Sequence, residues 1–214
     1  TTDENGKATA TGLDKATEYH IYHTYFGSTD GKTALVDAKE IADRFKDEND
    51  TTNHNGKTDK NESASNKNVE VSVDDDGNYK VTVKNNINHT VEIPDSWGNV
   101  KVDLGGHTIT GDAADENNQA KPGLEFIKDA TNEHPGTRLE ITNGTIKGGD
   151  GSAAQPDGAP GIGTGTEKPS NAEVVAGNGV KVIGGNGANG TDGNNGGNGG
   201  AGISGEITPT VDHG

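Results

Sequence analysis

The sequence predicts an all-β chain: a parallel β-solenoid with glycine-rich inserts, preceded by a small mixed N-terminal region. Three observations predict it. A strand–corner–strand unit recurs at residues 100–111, 139–148 and 174–184. Glycine falls on every third residue at Gly184, Gly187, Gly190, Gly193, Gly196, Gly199, Gly202 and Gly205. Hydrophobic residues make up only 27% and aromatics 4% of the 214 residues. That is too little apolar mass for a large globular core or a helix bundle. Stability must then come from backbone ladders and small-residue stacking, as it does in solenoids.

The first region covers residues 1–49. Residues 2–7 read as a turn with Asn5-Gly6 at its tip, followed by a strand over 8–13. Residues 19–26 alternate and are rich in aromatic side chains, which predicts a second strand. Val36, Ile41 and Phe45, with Ala38 and Ala42, fall at near-helical spacing, which predicts a short amphipathic helix over 36–45. Residues 50–68 are almost purely polar and read as a linker.

The third region, 69–214, opens on a β-hairpin. Val69–Val73 and Tyr79–Val83 alternate strictly, and Gly77 between them supplies the turn. The acidic run in that turn is not a calcium loop of the EF-hand kind, because the position that needs Glu is Val83. The recurring units follow, each a short alternating strand, a Gly or Asn-Gly corner, a second short strand and a glycine. Such a unit cannot bury its apolar face alone, so its copies must stack. Polar or Gly/Pro inserts separate the copies at 112–123, 150–172 and 184–205.

Glycine at every third position suits a backbone with three residues per turn, the extended polyproline-II helix. Collagen fits poorly, since the run has no proline and few triplets. The preferred expectation is an extended strand packed against similar strands or a domain wall, spanning roughly 68 Å if straight, at about 3.1 Å per residue. A flexible Gly/Asn loop is the alternative. A calcium repeat is the third, but it would need Asp repeatedly, and Asp192 stands alone in the run.

The stretch 102–111, Val-Asp-Leu-Gly-Gly-His-Thr-Ile-Thr-Gly, resembles a coil of the right-handed parallel β-helix, pectin-lyase-like surface proteins, with Gly105 where those have Asn. Residues 139–149 are similar to a second coil. The glycine run is similar to their Gly/Asn-rich inserts. The resemblance covers roughly residues 90–205 and implies a right-handed parallel β-helix on a secreted or displayed bacterial protein, often an adhesin. A weaker resemblance links residues 2–13 and 19–22 to the immunoglobulin-like domains of Gram-positive pilins and adhesins. Those often carry a Lys–Asn isopeptide bond, for which no acid partner is evident here.

Net charge is −16, with Arg44 and Arg138 the only arginines. Nucleic-acid binding needs a basic stripe and is excluded; anionic membrane surfaces are disfavoured on the same ground. No cysteine means no disulfide framework and no thiolate metal site. No apolar run reaches membrane-spanning length. Methionine is absent, at position 1 as elsewhere, which suggests a mature or excised fragment.

Catalysis has little support. Asp103 has no paired carboxylate at the expected spacing, and Arg138 has no partner cluster, so neither a polysaccharide hydrolase nor a lyase is expected. His107 could act as a base, but at a coil corner a hydrogen bond to the next coil is the expected role. His20 and His23 would face opposite sides of a strand and do not suggest a shared metal. Trp97 either stacks on a sugar ring or is a buried cap at the solenoid end, the favoured alternative.

The expected function is that of an extracellular bacterial surface adhesin, not an enzyme. It would bind a host or neighbour-cell glycan or protein as a monomer, through Trp97 and the insert residues Asn186, Asn189, Asp192, Asn195 and Asn198. No cofactor is required, although calcium would suit the acidic inserts. A structural stalk is the alternative, as is a glycine-rich receptor-binding tip or an ice-binding protein.

Overall fold

A computed structural model describes residues 37–47, 63–74, 78–129, 136–169, 171–190 and 195–211. The elements expected at 2–7, 8–13 and 19–26 lie outside these residues, as does Asp192. In chain order the described elements are α1 (Ala38–Arg44), β1 (Ala64–Ser65), β2 (Val69–Val73), β3 (Tyr79–Val83), β4 (Val91–Pro94), β5 (Gly98–Asp103) and β6 (Thr108–Thr110). There follow β7 (Leu124–Ile127), β8 (Thr137–Thr142), β9 (Gly144–Lys147), β10 (Ile162–Thr164), β11 (Ala172–Ala176), β12 (Val180–Ile183) and β13 (Ile207–Val211).

These strands build a parallel β-solenoid of about three turns. One sheet runs β1-β2-β3-β5-β8-β11-β13, the second β12-β9-β6 and the third β10-β7-β4. The chain visits them in rotation. One coil is β5, β6 and β7, the next is β8, β9 and β10, and the last is β11, β12 and a bridge from Ile203 to Ile162. Because strand side chains alternate with period two, in-register stacking aligns each apolar position over its equivalent. Tyr79, Val100, Leu139 and Val174 form one interior row, and Val81, Val102 and Ile141 another. Ile109 over Ile146 on the second sheet, with Leu124 over Ile162 on the third, complete the core. Each such side chain contributes about 1.5–3 kcal/mol as an upper estimate.

The corner between the first and second sheets needs left-handed backbone. Gly105 and Gly106 have φ of 56° and 84°, Asn143 has 57° and Gly179 has 74°. Their backbones ladder from coil to coil: Gly106 N donates to Asn143 O at 2.6 Å and Asn143 N to Asn178 O at 3.0 Å. Asn143 tolerates a φ that most residues resist, and its amide nitrogen also donates to Asp103 Oδ1 at 3.2 Å.

The hairpin pairs β2 with β3, Val73 opposite Tyr79, as alternation predicts. Helix α1 also matches expectation, with Asp37 as its N-cap, accepting from Lys39 N. It buries Ala38, Ile41, Ala42 and Phe45 against β1, β2 and β4, closing the first end of the solenoid. Residues 63–68, the end of the stretch that reads as polar linker, take part in this cap. Asn66 and Asn68 are buried, and their side-chain amides donate to Ala42 O and Phe45 O at 2.7 and 2.9 Å. The last carbonyls of a helix run short of internal partners; Ala42 O has Phe45 N at 3.1 Å and gains Asn66 as a second donor, and Phe45 O is met by Asn68.

The third sheet differs from the sequence expectation, which gives each coil two strands and an insert. Ile162–Thr164 lies within the span 150–172 yet is a strand in register with β7. It shows no alternation because Gly163 must lie between the Pro122 and Pro160 rings: a Cβ there would come within 2.8 and 2.9 Å of them.

Candidate functional site

The inserts are three stacked hairpins of extended chain, each leaving the second sheet and returning to the third. They cover residues 111–123, 148–161 and, of the third, 184–190 and 195–202. A single rung of backbone hydrogen bonds crosses all of them. Lys121 N donates to Asp112 O, Gly149 N to Lys121 O, Ala159 N to Gly149 O, Gly185 N to Ala159 O and Gly200 N to Gly185 O, at 2.7 to 2.9 Å. The glycine run is therefore ordered where described, but it is not one straight strand. Its outgoing and returning halves lie antiparallel, with Gly197 N donating to Ala188 O at 2.9 Å.

Glycine is required because a Cβ would strike neighbouring backbone. Gly184 and Gly187 face the carbonyls of Gly200 and Gly197, so contacts advance three residues at a time on both halves. That step is what a backbone of three residues per turn produces. The next glycine serves a different neighbour: Gly185 faces Gly149 of the preceding hairpin, and Gly149 faces Asp112. Hence the later hairpins begin Gly148-Gly149 and Gly184-Gly185, and the first begins Gly111-Asp112. On the returning half the tightest positions are Gly197 and Gly200, against Pro156 and Ala159, with Gly196 and Gly202 next at 3.0 and 3.1 Å from Ala188 O and Val182 O. These lie one residue off the frame that the sequence displays. In-frame Gly199 has only an ordinary contact of 3.6 Å, to Gly185 O.

With the tight glycines turned inward, the asparagines face water. Asn186, Asn189, Asn195 and Asn198 are all exposed. Two backbone groups beside them are held by acids of the preceding hairpin: Asn186 N donates to Asp150 Oδ1 at 2.7 Å and Asn198 N to Asp157 Oδ1 at 2.8 Å. Asp150 also receives Lys147 Nζ at 2.9 Å. That lysine bond first, and the Asn186 N–H second, hold the Asp150 carboxyl below its ordinary value. At the tip of the first hairpin the Asn118 side chain and the Asn117 and Asn118 N–H groups do the same for Asp115. These carboxylates position loops.

Trp97 stands apart from the hairpins, at the corner between β4 and β5. Its ring is 4% exposed and belongs to the core. Its backbone N–H donates to Thr137 Oγ1 at 3.0 Å, and that hydroxyl donates to Pro94 O at 2.6 Å, tying the corner to the next coil, while the buried indole Nε1 has no protein partner among the described residues. The open face that stacking on a sugar needs is absent. The end cap is supplied by α1, and Trp97 is an internal corner.

His107 reaches the next coil through its backbone, Thr145 N donating to His107 O at 3.0 Å. Asp103 accepts from Gly105 N and Asn143, and Arg138 pairs with Glu173 at 3.4 Å, so both serve the scaffold. Among the described residues no three His, Asp or Glu side chains come together as a metal site.

Sequence reasoning missed a cleft of about 400 Å³ on the outer face of the third sheet. Glu92 and Glu125 lie side by side on its floor, in register on β4 and β7. Arg44 Nη1 from the cap reaches Glu92 Oε2 at 2.6 Å. Lys121, Ile127, Lys128 and residues 165–167 complete its lining. Burial first, then the charges of Glu92 and Asp112, push the Glu125 carboxyl above its ordinary value, against the pull of Lys121. No family model matches the chain, nor does any curated protein or solved structure.

Proposed function

We propose that this chain is a right-handed parallel β-helix surface protein of bacteria that acts as an adhesin. The stacked hairpins are its contact platform for a host or neighbour-cell glycan or protein. One observation carries this reading: the hairpins form a hydrogen-bonded array whose outward positions are Asn186, Asn189, Asn195 and Asn198. Asparagine offers both donors and acceptors. A platform already ordered loses little conformational freedom on binding, which favours affinity. The acidic charge suits a protein exposed to solvent.

The test is a glycan-array and extracellular-matrix binding screen, run with calcium and with chelator. It compares the native chain with one in which the four asparagines are alanine. A specific hit lost in the variant supports the platform. A hit that survives all four substitutions moves binding elsewhere. No hit in either condition favours a structural spacer.

A further inference from the structure

The cleft over the third sheet is separate from the hairpin platform, and the scaffold does not account for its composition. Most lysines described elsewhere are paired: Lys84 with Glu70, Lys101 with Asp74, Lys147 with Asp150, Lys168 with Glu206. In the cleft, Lys121, Lys128, Glu125 and Glu167 have no side-chain hydrogen bond or ion pair among the described residues. Glu125 is only half exposed and still lacks a partner. A half-buried carboxylate without a bonded partner is a group that a ligand's hydroxyl can satisfy.

Gly165 keeps the space open. Its N–H makes the strand-like bond to Phe126 O at 2.8 Å, so its backbone is fixed. A Cβ on it would lie 3.4 Å from Ile127 Cγ2 and 3.6 Å from Glu125 Oε1, pointing into the cleft without a clash. The volume falls within the range of small-ligand sites, about 300–1,000 Å³.

The charges identify the ligand class. Three carboxylates, one of them already on Arg44, face two ammonium groups, so the cleft draws neither sign strongly. Carboxylates only accept hydrogen bonds and ammonium groups only donate them. A hydroxyl does both, and a ring of hydroxyls on a carbon frame can satisfy both kinds at once while its C–H face rests on Ile127. We propose that this cleft binds a neutral saccharide unit, with Glu125 and Lys121 as its principal hydrogen-bonding groups.

The test is an amide chemical-shift titration of the whole chain with cellobiose, maltose and lactose, and with glucosamine and glucuronate as charged comparators. The expected result is a saturable shift at the amides of Glu92, Glu125, Gly165 and Thr166 with at least one neutral sugar. Gly165→Leu, which fills the space, and Glu125→Leu, which removes the acceptor, should each weaken binding about tenfold or more, the loss of one charged hydrogen bond. Asn189→Ala should leave it unchanged. Unchanged spectra outside the cleft report that the variants fold. No saturable shift with any neutral sugar, shifts confined to residues 184–202, or tighter binding of a charged comparator would each overturn the proposal. The hairpin reading stands or falls separately, on its own asparagine variant.

Discussion

The glycine run makes opposite predictions depending on whether the sequence period or the three-dimensional contacts are followed. By period, Gly199 belongs to the repeat and Gly197 does not. By contact, a Cβ on Gly197 would fall well under 3.0 Å from the carbonyl of Pro156, a separation real Cβ atoms essentially never show. A Cβ on Gly199 would meet nothing closer than 3.6 Å. Neither residue has the positive φ that would strain alanine. At Gly197 the obstacle is backbone, held by Ala188 N donating to Pro156 O at 2.7 Å, so it cannot swing aside as a side chain could. Overpacking costs about 1–3 kcal/mol, and the upper end applies here. At Gly199 the same substitution only restricts the unfolded chain, worth about 0.4–1 kcal/mol of added stability. For a domain of this size each kcal/mol moves the melting temperature by about 2–4 °C. Gly197→Ala should therefore lower Tm by roughly 6–12 °C. Gly199→Ala should leave it level or raise it by about 1–4 °C. Circular dichroism melts read the global effect. Amide exchange at Gly158, whose N–H is bonded to Asn198 O, reads local opening of the array if the solenoid itself survives. Equal losses at both positions, or a loss at Gly199 alone, would refute the contact assignment.

Three further outcomes follow from the cap and the carboxylates. Asn66→Ala strands the N–H groups of Asn68 and Val69 and leaves Ala42 O with Phe45 N alone, and should cost about 2–3 kcal/mol by urea unfolding; a loss under about 1 kcal/mol would mean that these groups are satisfied otherwise. Glu125 has a raised folded pKa, so the native protein is best off below the ordinary glutamate value and loses stability as pH rises through the raised one. Glu125→Gln should accordingly gain in Tm over the native chain at pH 7 more than at pH 4, and a constant gap between the two would contradict the assignment. Asp150 has a lowered pKa, with the opposite sign: its contribution is present above the ordinary aspartate value and fades as pH falls through the lowered one. The Tm deficit of Asp150→Asn at pH 7 should shrink towards pH 2, and a deficit that persists there would assign the effect to packing.

Sequence periodicity was informative where each residue answers to one neighbour. The alternation in Val69–Val73 and Tyr79–Val83 has a single consequence, one face in and one face out, and the hairpin follows in register. The same holds for the apolar rows of the first two sheets and for Ile41 and Phe45 on the helix. It failed where a position answers to several neighbours at once. Gly163 sits in a strand but is chosen for the proline rings on either side. Asn66 and Asn68 look like linker residues, because their partners are carbonyls on a helix more than twenty positions earlier. Glu92 and Glu125 are ordinary outward residues of short strands, and only the coil register sets them side by side over one cleft. Trp97 carried an ambiguity that composition could not resolve, since a Ser/Gly setting suits an exposed platform and a tight buried corner alike.

The two halves of the architecture share one length. Parallel strands lie about 4.8 Å apart, and each insert begins at the end of a strand of the second sheet and rejoins the third. The extended segments therefore leave the solenoid already at strand spacing, and their N–H and C=O groups meet at hydrogen-bonding distance without further adjustment. At that spacing the backbone cannot carry a Cβ aimed at a neighbouring carbonyl, so glycine is forced at the positions that face one, while Ala159, also buried, aims its Cβ elsewhere. The number of glycines per turn then counts neighbours. The first hairpin, with no layer before it, manages with Gly111 followed by Asp112. The second and third each need two in succession, at 148–149 and 184–185. Glycine-rich chain is usually flexible because the backbone has many states to choose among. Here the sheet fixes the separation and the ladder fixes the register, so the same composition yields a hydrogen-bonded surface. The asparagines it displays inherit their positions from the solenoid core, so Leu124→Ala, a core truncation one residue past the first hairpin, should speed amide exchange at Gly149 and Gly185 in the array as well as in the core.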